Sequence, residues 1–276
     1  MNEQTIHASD EVRELFDIGV AAARAAGEFL LASRPRDLTI ATKSSPTDVV
    51  TQMDTAAERL VASSIHAVRP DDAILGEEGQ TDAAGGASSG RRVRWIVDPI
   101  DGTVNYLYAL PQWAVSIAAE VDGVVEVGVV FDPSKDELFT AIRGRGARLN
   151  GAPVAVSRCA EMSQALVGTG FSYDARLRAR QAQVLAEVLP LTRDMRRLGA
   201  ASLDLCAVAV GRLDGYFERR LNLWDYAAAA LVATEAGGRV EGLRGAAASG
   251  EFLLAATPGI FDPLHDLLAS LGADVS

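Results

Sequence analysis

Between residues 95 and 103 the chain reads Trp-Ile-Val-Asp-Pro-Ile-Asp-Gly-Thr, so a short apolar run delivers two carboxylates, Asp98 and Asp101, followed by Gly102 and the hydroxyl of Thr103. Carboxylate oxygens are ligands for hard divalent cations, and a glycine lets backbone N–H groups close around an anion. The expected local structure is a strand through Val93, Trp95 and Val97 that runs out at Asp98 into a ligand-facing turn, because Pro99 cannot donate to a sheet ladder. Asp and Gly also build ordinary surface turns. The chemistry therefore depends on what else in the chain converges on this turn.

Further acids stand at element ends: Asp48 and Asp54, Glu77 and Glu78, and Asp225 directly after Trp224. Brought together, such groups repel one another and require cations. Oxygen ligands with no His or Cys among them suit Mg²⁺ or Mn²⁺ rather than Zn²⁺, and Mg²⁺ commonly combines a few carboxylates with substrate phosphate. The reaction this points to is in-line attack on phosphorus by a water that the metal acidifies, with no protein nucleophile. Gly102 and Thr103, followed by Val104-Asn105-Tyr106, would open a helical turn whose backbone N–H groups hold the phosphate. Glu77 is the candidate to orient and deprotonate the water, with Thr103 assisting. A phosphoaspartate mechanism of the haloacid-dehalogenase kind places its two Asp residues one apart. Here Pro99 and Ile100 intervene, and positions i and i+3 of a strand do not share a face, so that geometry fits poorly.

These groups need elements to position them. Residues 11–32 read as an amphipathic helix, and a second helix shows one apolar face through Ala57, Leu60, Val61, Ile65 and Val68 until Pro70, with Asp54 at its start. Residues 73–76 form a short strand ending at Glu77-Glu78, and 81–90 a polar glycine-rich loop. Alternation on both sides of Asp122-Gly123 marks a hairpin over 114–131, continued by a strand at 138–142. Beyond Asn150-Gly151 helices and strands alternate: a helix at 175–188, a strand near 195–198, a helix at 202–210 and a strand at 215–218. Asp225 then opens a helix over 226–236 ended by Gly237-Gly238, and a last strand at 252–256 precedes a helix at 263–271. With no long low-complexity linker, the 276 residues read as one domain, 1–150 supplying the metal and phosphate part and 151–276 the substrate part.

A net charge of −11 repels polyanions and disfavours direct nucleic-acid binding. Two basic clusters interrupt it, Arg91, Arg92, Arg94 and Arg193, Arg196, Arg197; their ordinary reading is solvated strand ends, with local phosphate attraction as the alternative. Two cysteines, Cys159 and Cys206, make no disulfide framework. The longest apolar stretch, 227–233, is too short to span a bilayer, so no membrane association is expected and a cytoplasmic location is the default.

Lys43-Ser-Ser-Pro-x-Asp48-x-Val-Thr-x-x-Asp54, Gly76-Glu77-Glu78, the segment Trp95 to Thr103, and Trp224-Asp225 occur in this order, and together they resemble the inositol monophosphatase family over about residues 43–238. The resemblance implies an α/β fold of the α+β kind, a layered αβαβα sandwich of the sugar-phosphatase (inositol monophosphatase and fructose-1,6-bisphosphatase) type. It also implies a homodimer that hydrolyses a small phosphomonoester with two or three Mg²⁺ ions, Mn²⁺ being a substitute, and that is inhibited by lithium. Glu77, Asp98 and the Ile100 carbonyl would bind one metal, and Asp98, Asp101 and Asp225 a second, with a weaker ion near Glu77. Gly102 and Thr103 would contact phosphate, and Asp54 would support Thr103. Asp101, Gly199, Ala201, Glu218 and Asp225 would meet the alcohol.

Inositol monophosphate is the expected substrate. Histidinol phosphate and other sugar or nucleotide phosphates are the alternatives, and a regulatory protein-binding role in transcription is the alternative of another class. Asp48 and Asp54 also have the ordinary roles of turn and helix caps, Glu78 that of a solvated side chain, and Trp95, Trp113 and Trp224 that of core residues.

Overall fold

The structure, a computed structural model, describes residues 3–33, 40–42, 49–79 and 91–275. The first half contains α1 (Glu3–Ala32), β1 (Ile40–Thr42), β2 (Val49–Thr51), α2 (Gln52–His66), β3 (Ala73–Gly76), β4 (Val93–Asp101), α3 (Thr103–Leu107), β5 (Ala114–Val121), β6 (Val124–Asp132), β7 (Glu137–Ile142), β8 (Ala147–Leu149) and β9 (Ala152–Pro153). The second half contains β10 (Leu166–Thr169), α4 (Ala175–Val188), β11 (Asp194–Arg196), α5 (Ala201–Ala209), β12 (Gly215–Glu218), α6 (Leu223–Glu235), β13 (Arg239–Glu241), β14 (Leu253–Ala256) and α7 (Pro258–Ser270). Asp48 and the loop expected at 81–90 lie outside the described residues.

Strand β4 explains the layering. Trp95 and Val97 pack into one apolar cluster with Leu15, Ala22 and Leu30 of α1 and Val61 and Ile65 of α2. Ile96, between them, enters a second cluster with α5, α6 and the strands β12 and β14. A strand buried on both faces reads as a continuous apolar run, and Trp95, Ile96 and Val97 do so between Arg94 and Asp98. The sheet around it runs β3-β4-β5-β6-β7-β8-β9, with β3 parallel to β4 and the other pairs antiparallel. The second sheet runs β11-β10-β12-β14-β13, in which β11, β10 and β12 are mutually parallel. Its far face carries a third cluster built with α4 and α7. The order is thus α1 and α2, first sheet, α5 and α6, second sheet, α4 and α7: the αβαβα sandwich.

The middle layer is thin because its contact residues are small. Ala227, Ala228 and Ala229 are buried on α6, and a Cβ on Gly128 of β6 would overlap the Ala228 carbonyl. This close approach brings the N-terminus of α6 to the strand that carries Asp98.

Several boundaries differ from the sequence reading. α1 begins at Glu3, and α2 ends at His66, before Pro70. β4 does not stop at Asp98 but continues to Asp101 through an irregularity: Asp98 pairs with Ser116 and Asp101 with Ala114, three steps against two. Pro99, with no N–H to lose, sits inside that bulge. α6 starts at Leu223, so Asp225 lies in its first turn instead of preceding it. α7 starts at Pro258, which follows Thr257 at a position where a missing N–H costs nothing, and Pro263 falls inside the helix.

Candidate active site

Sheet pairing does most of the assembly. Because β3 runs parallel to β4 with Gly76 opposite Val97, the residue after each partner, Glu77 and Asp98, emerges side by side. Asp98 is 2 % exposed, and its Oδ1 accepts the Ile100 N–H at 3.0 Å across the bulge. Thr103 Oγ1 donates to the Ile100 carbonyl at 2.9 Å, which folds the turn back on the strand. Asp54, 2 % exposed in the first turn of α2, stands among the charges that act on Asp98. Gly102 has φ +89°, and a Cβ there would lie 2.9 Å from the Gln112 carbonyl, so this position needs glycine for both conformation and space.

Asp101 joins the two halves. Its oxygens accept the Ala201 N–H at 3.2 Å, the Ser202 N–H at 2.7 Å and the Ser202 hydroxyl at 2.5 Å, all at the N-terminus of α5, where the helix dipole favours negative charge. Asn105 adds a second tie, donating to Gln112 O at 2.7 Å and Leu198 O at 2.9 Å and so holding the phosphate turn against the segment that leads into α5. On the other flank Ser116, opposite Asp98, donates to Trp224 O at 3.3 Å. Asp225 Oδ2 accepts the Asn222 N–H at 2.6 Å, one half of a capping box on α6.

The electrostatics reflect this convergence. Burial raises the Asp98 carboxyl well above its ordinary range, and the neighbouring charges of Glu77, Asp101, Asp225 and Asp54 raise it further. Asp225 is raised well above its range by burial and then by Asp101. For Asp101, burial outweighs the hydrogen bonds from Ser202 that favour the charged form. None of these three has an Arg or Lys ion-pair partner among the described residues. The site gathers like charges at and around two buried carboxylates, Asp98 and Asp101.

The donor set fits a hard divalent cation: carboxylates and a backbone carbonyl, each carboxylate keeping unused lone pairs. Among the described residues no three acid, His or Cys side chains close to ligand distance on their own. Asp101 is drawn toward α5 by its bonds from Ala201 and Ser202.

The alcohol side is built at the second sheet. Gly199, with φ +90°, and Ala201 lead into and open α5 beside Asp101. Glu218 ends β12, and its carboxylate is hydrogen bonded by the Tyr216 hydroxyl. A Cβ on Gly170 would overlap that carboxylate, so glycine makes its room. Burial pushes Glu218 up to about 7, against the opposing effects of the Tyr216 bond and the Arg197 charge. A carboxyl raised in the fold costs stability once pH exceeds its unfolded value, so its contribution falls from about 4.5 up to about 7. In metal-free protein the carboxyl carbon resonance of Glu218 is expected to titrate with a midpoint at about 7, and added Mg²⁺ to lower it. A midpoint at the ordinary 4.5 would contradict this geometry.

Glu77, Asp101, Asp225 and Asp54 act by charge on Asp98, and Asp101 acts on Glu218; Glu78 is tied to Glu58 through its backbone N–H. Sequence reasoning missed four supporting groups. Glu58, buried on α2, accepts the Glu78 N–H at 2.8 Å and packs where a side chain on Gly76 would be. Its position four residues after Asp54, on the same helix face, was the available signal. Ser202 and Asn105 act across about a hundred residues of chain and leave no local pattern. Asp204 lies at 1 % exposure on α5 with its Oδ1 unpartnered among the described residues, raised well above its ordinary range by burial and the Asp101 charge. Trp95 and Trp113 are core residues as read, Trp95 donating to Asp72 and Trp113 meeting Tyr106 edge-on.

Comparison with known proteins follows the same lines. The family model described as the inositol monophosphatase family matches residues 11–275. The chain is 48 % identical over 240 residues to the inositol-1-monophosphatase SuhB of Mycobacterium tuberculosis, covering 85 % of this chain and 82 % of that protein. It is 41 % identical over 250 residues to the Nus factor SuhB of Pseudomonas aeruginosa, covering 88 % and 89 %. The crystal structure of extragenic suppressor protein suhB from Bartonella henselae superposes with a TM-score of 0.87 at 35 % identity, over 92 % of this chain and 98 % of that one.

Proposed function

The chain belongs to the inositol monophosphatase family, and from that premise we propose that it is a Mg²⁺-dependent phosphomonoesterase, acting as a homodimer on inositol monophosphate. The observation that carries this reading is the convergence of buried Asp98 and Asp101 with half-buried Asp225, none of which has an Arg or Lys ion-pair partner among the described residues. Glu77, Asp98, Asp101, Asp225 and the Ile100 carbonyl would hold the ions. Bound Mg²⁺ would supply Lewis acidity toward the phosphoryl oxygens and the attacking water.

The chain's own groups do the rest. Gly102 and the first N–H groups of α3 bind the phosphoryl oxygens, and the positive φ of Gly102 aims them. Glu77 orients the water and takes its proton on a carboxylate oxygen as the new O–P bond forms; the P–O bond to the alcohol on the opposite side breaks, and the leaving oxygen takes a proton from solvent water and departs as the free alcohol. Thr103, fixed on the Ile100 carbonyl, keeps that turn in register with the strand. Asp101, through α5, couples the reacting phosphorus to Gly199, Ala201 and Glu218, which position the alcohol. In this reading residues 1–150 provide the metals and phosphate site and residues 151–276 the alcohol site.

The substrate choice is tested by comparing kcat/KM for inositol 1-phosphate, histidinol phosphate, fructose 1,6-bisphosphate and 3′-phosphoadenosine 5′-phosphate. Turnover of a polyol or sugar phosphate well above histidinol phosphate is expected, because Glu218 offers an acceptor to hydroxyls. A clear preference for histidinol phosphate would overturn it.

A second reading has one specific observation behind it, the name Nus factor carried by relatives such as that of Pseudomonas aeruginosa. It is a regulatory role in transcription exercised through a protein partner, since a net charge of −11 disfavours direct contact with RNA. A partner retained by the Asp98→Asn protein in a pull-down would support it, and none under native conditions would count against it.

A further inference from the structure

Of the 26 lysines and arginines in this chain only two are lysine, Lys43 and Lys135, and Lys43 lies outside the described residues. Lys135 stands in the turn between β6 and β7. Its ammonium donates to three acceptors: Asp132 Oδ2 at 2.5 Å, Pro111 O at 3.1 Å and Gln112 Oε1 at 3.3 Å. An ammonium has three N–H donors, and each has a partner here. The acid among them is fixed in place. Asp132 ends β6 with its side chain 1 % exposed, and its Oδ1 accepts the Ser134 N–H at 2.9 Å and the Lys135 N–H at 3.2 Å. A carboxylate held this way by the backbone keeps one orientation, and the ammonium paired with it is held too.

The other two acceptors belong to the connection from α3 to β5, which leaves the phosphate turn. The backbone N–H groups of Tyr108, Ala109 and Leu110 bond back to Val104, Tyr106 and Asn105, within or just behind α3 itself. The contacts from Lys135 tie the far end of the connection, Pro111 and Gln112, to the β6–β7 turn of the first sheet. Gln112 then reaches the phosphate turn directly. Its carbonyl accepts Asn105 Nδ2 at 2.7 Å, and a Cβ on Gly102 would lie 2.9 Å from that same oxygen. Gln112 is therefore held by Lys135 through its side chain and forms a wall of the turn through its backbone.

We propose that Lys135 is a positioning residue for the phosphate turn: anchored on Asp132, it holds Pro111 and Gln112 so that the Gln112 carbonyl braces Gly102 and Asn105. The inference rests on the phosphatase reading. The ammonium bonds to none of the metal-ligand candidates and acts through Gln112. Without it the Gln112 carbonyl is free to move from Gly102 and the Asn105 bridge slackens. A turn that shifts binds and aligns the phosphoryl group less well, while the carboxylates keep their own supports. Lysine suits the place because a compact ammonium turns its donors toward separate acceptors, whereas a guanidinium presents its own in one planar fork.

The test measures kcat and KM for inositol 1-phosphate, the inhibition constant of inorganic phosphate, the Mg²⁺ concentration at half activity and Tm. It uses the full-length wild-type protein, Lys135→Met, Lys135→Arg and Gln112→Ala. Lys135→Met is expected to lower kcat/KM roughly tenfold, as loss of a charge-assisted bond does, and to weaken phosphate inhibition by a similar factor with the Mg²⁺ requirement unmoved. Lys135→Arg, which keeps the pair with Asp132, restores part of the loss. Gln112→Ala leaves the Asp132–Lys135 pair intact and removes a forward contact, so it weakens phosphate inhibition severalfold with a smaller fall in Tm. That variant decides the matter if Lys135→Met does not fold. A lower Tm in Lys135→Met with kcat/KM and phosphate inhibition at wild-type values, or wild-type phosphate inhibition in Gln112→Ala, overturns the inference and leaves the phosphatase reading standing. No hydrolysis by the wild-type protein at saturating Mg²⁺ overturns both.

Discussion

Asp98→Asn is expected to abolish phosphate release, by at least about 10³-fold, and at the same time to raise the Tm of the metal-free protein. The first effect follows from the position of Asp98 at the centre of the acid group, where it would serve both metals and where the loss of several kcal/mol of transition-state stabilisation is a thousandfold or more. The second follows from its burial at 2 % exposure among like charges. A carboxyl raised in the fold makes the unfolded state the better acid, so without metal the stability falls as pH rises past the unfolded value. A neutral amide of the same shape removes that penalty. It also keeps an oxygen to accept the Ile100 N–H. Phosphate release and thermal melts at neutral pH, with and without Mg²⁺, check both. Lower stability of the metal-free variant would show that Asp98 is a structural residue whose charge is already balanced.

Gly102→Ala is expected to lower kcat by about 10²-fold with a stability loss of roughly 2 kcal/mol. At φ +89° an alanine is strained, and its Cβ would meet the Gln112 carbonyl at 2.9 Å, Ala200 Cβ at 3.1 Å and the Gly199 carbonyl at 3.2 Å. These neighbours are backbone or fixed by the Asn105 bridge, so the turn must move rather than its surroundings. A shift of order 1 Å at the phosphate turn degrades alignment with the water that Glu77 orients. Divalent-cation binding, measured by its effect on Tm, should persist because no metal-ligand candidate is altered. Wild-type kcat in this variant would remove the turn from the phosphate site.

Much of the arrangement is legible in the sequence because it is encoded locally. The alternation of residues 114–131 around Asp122-Gly123 specifies the hairpin, and both turn residues take positive φ, as that turn requires. Val93, Trp95 and Val97 mark a strand because they recur at alternate positions of a buried segment. What local pattern could not reveal is contact across layers. Asp101 meets Ser202 across a hundred residues, and only the packing of α5 between two sheets makes that bond.

The start of α6 was misplaced for a different reason. Asp225 looks like a helix opener, yet Asn222 three residues earlier supplies the cap and Asp225 returns the second half of the box. The strand was likewise expected to stop at Asp98, since proline usually ends pairing, but a bulge absorbs Pro99 and carries β4 on to Asp101. Lys135 shows the same limit from the surface side. In sequence it is one basic residue in a turn, and only its contacts with Pro111 and Gln112 set it apart.

The most direct experiment is phosphate release from inositol 1-phosphate by protein stripped of divalent cations, before and after Mg²⁺ is restored, with Asp98→Asn alongside. Release that is absent without metal, appears with Mg²⁺ and stays absent in Asp98→Asn is the expected result. Equal release with and without metal, or none from any phosphomonoester at saturating Mg²⁺, would contradict the buried carboxylates as a metal-dependent phosphatase site.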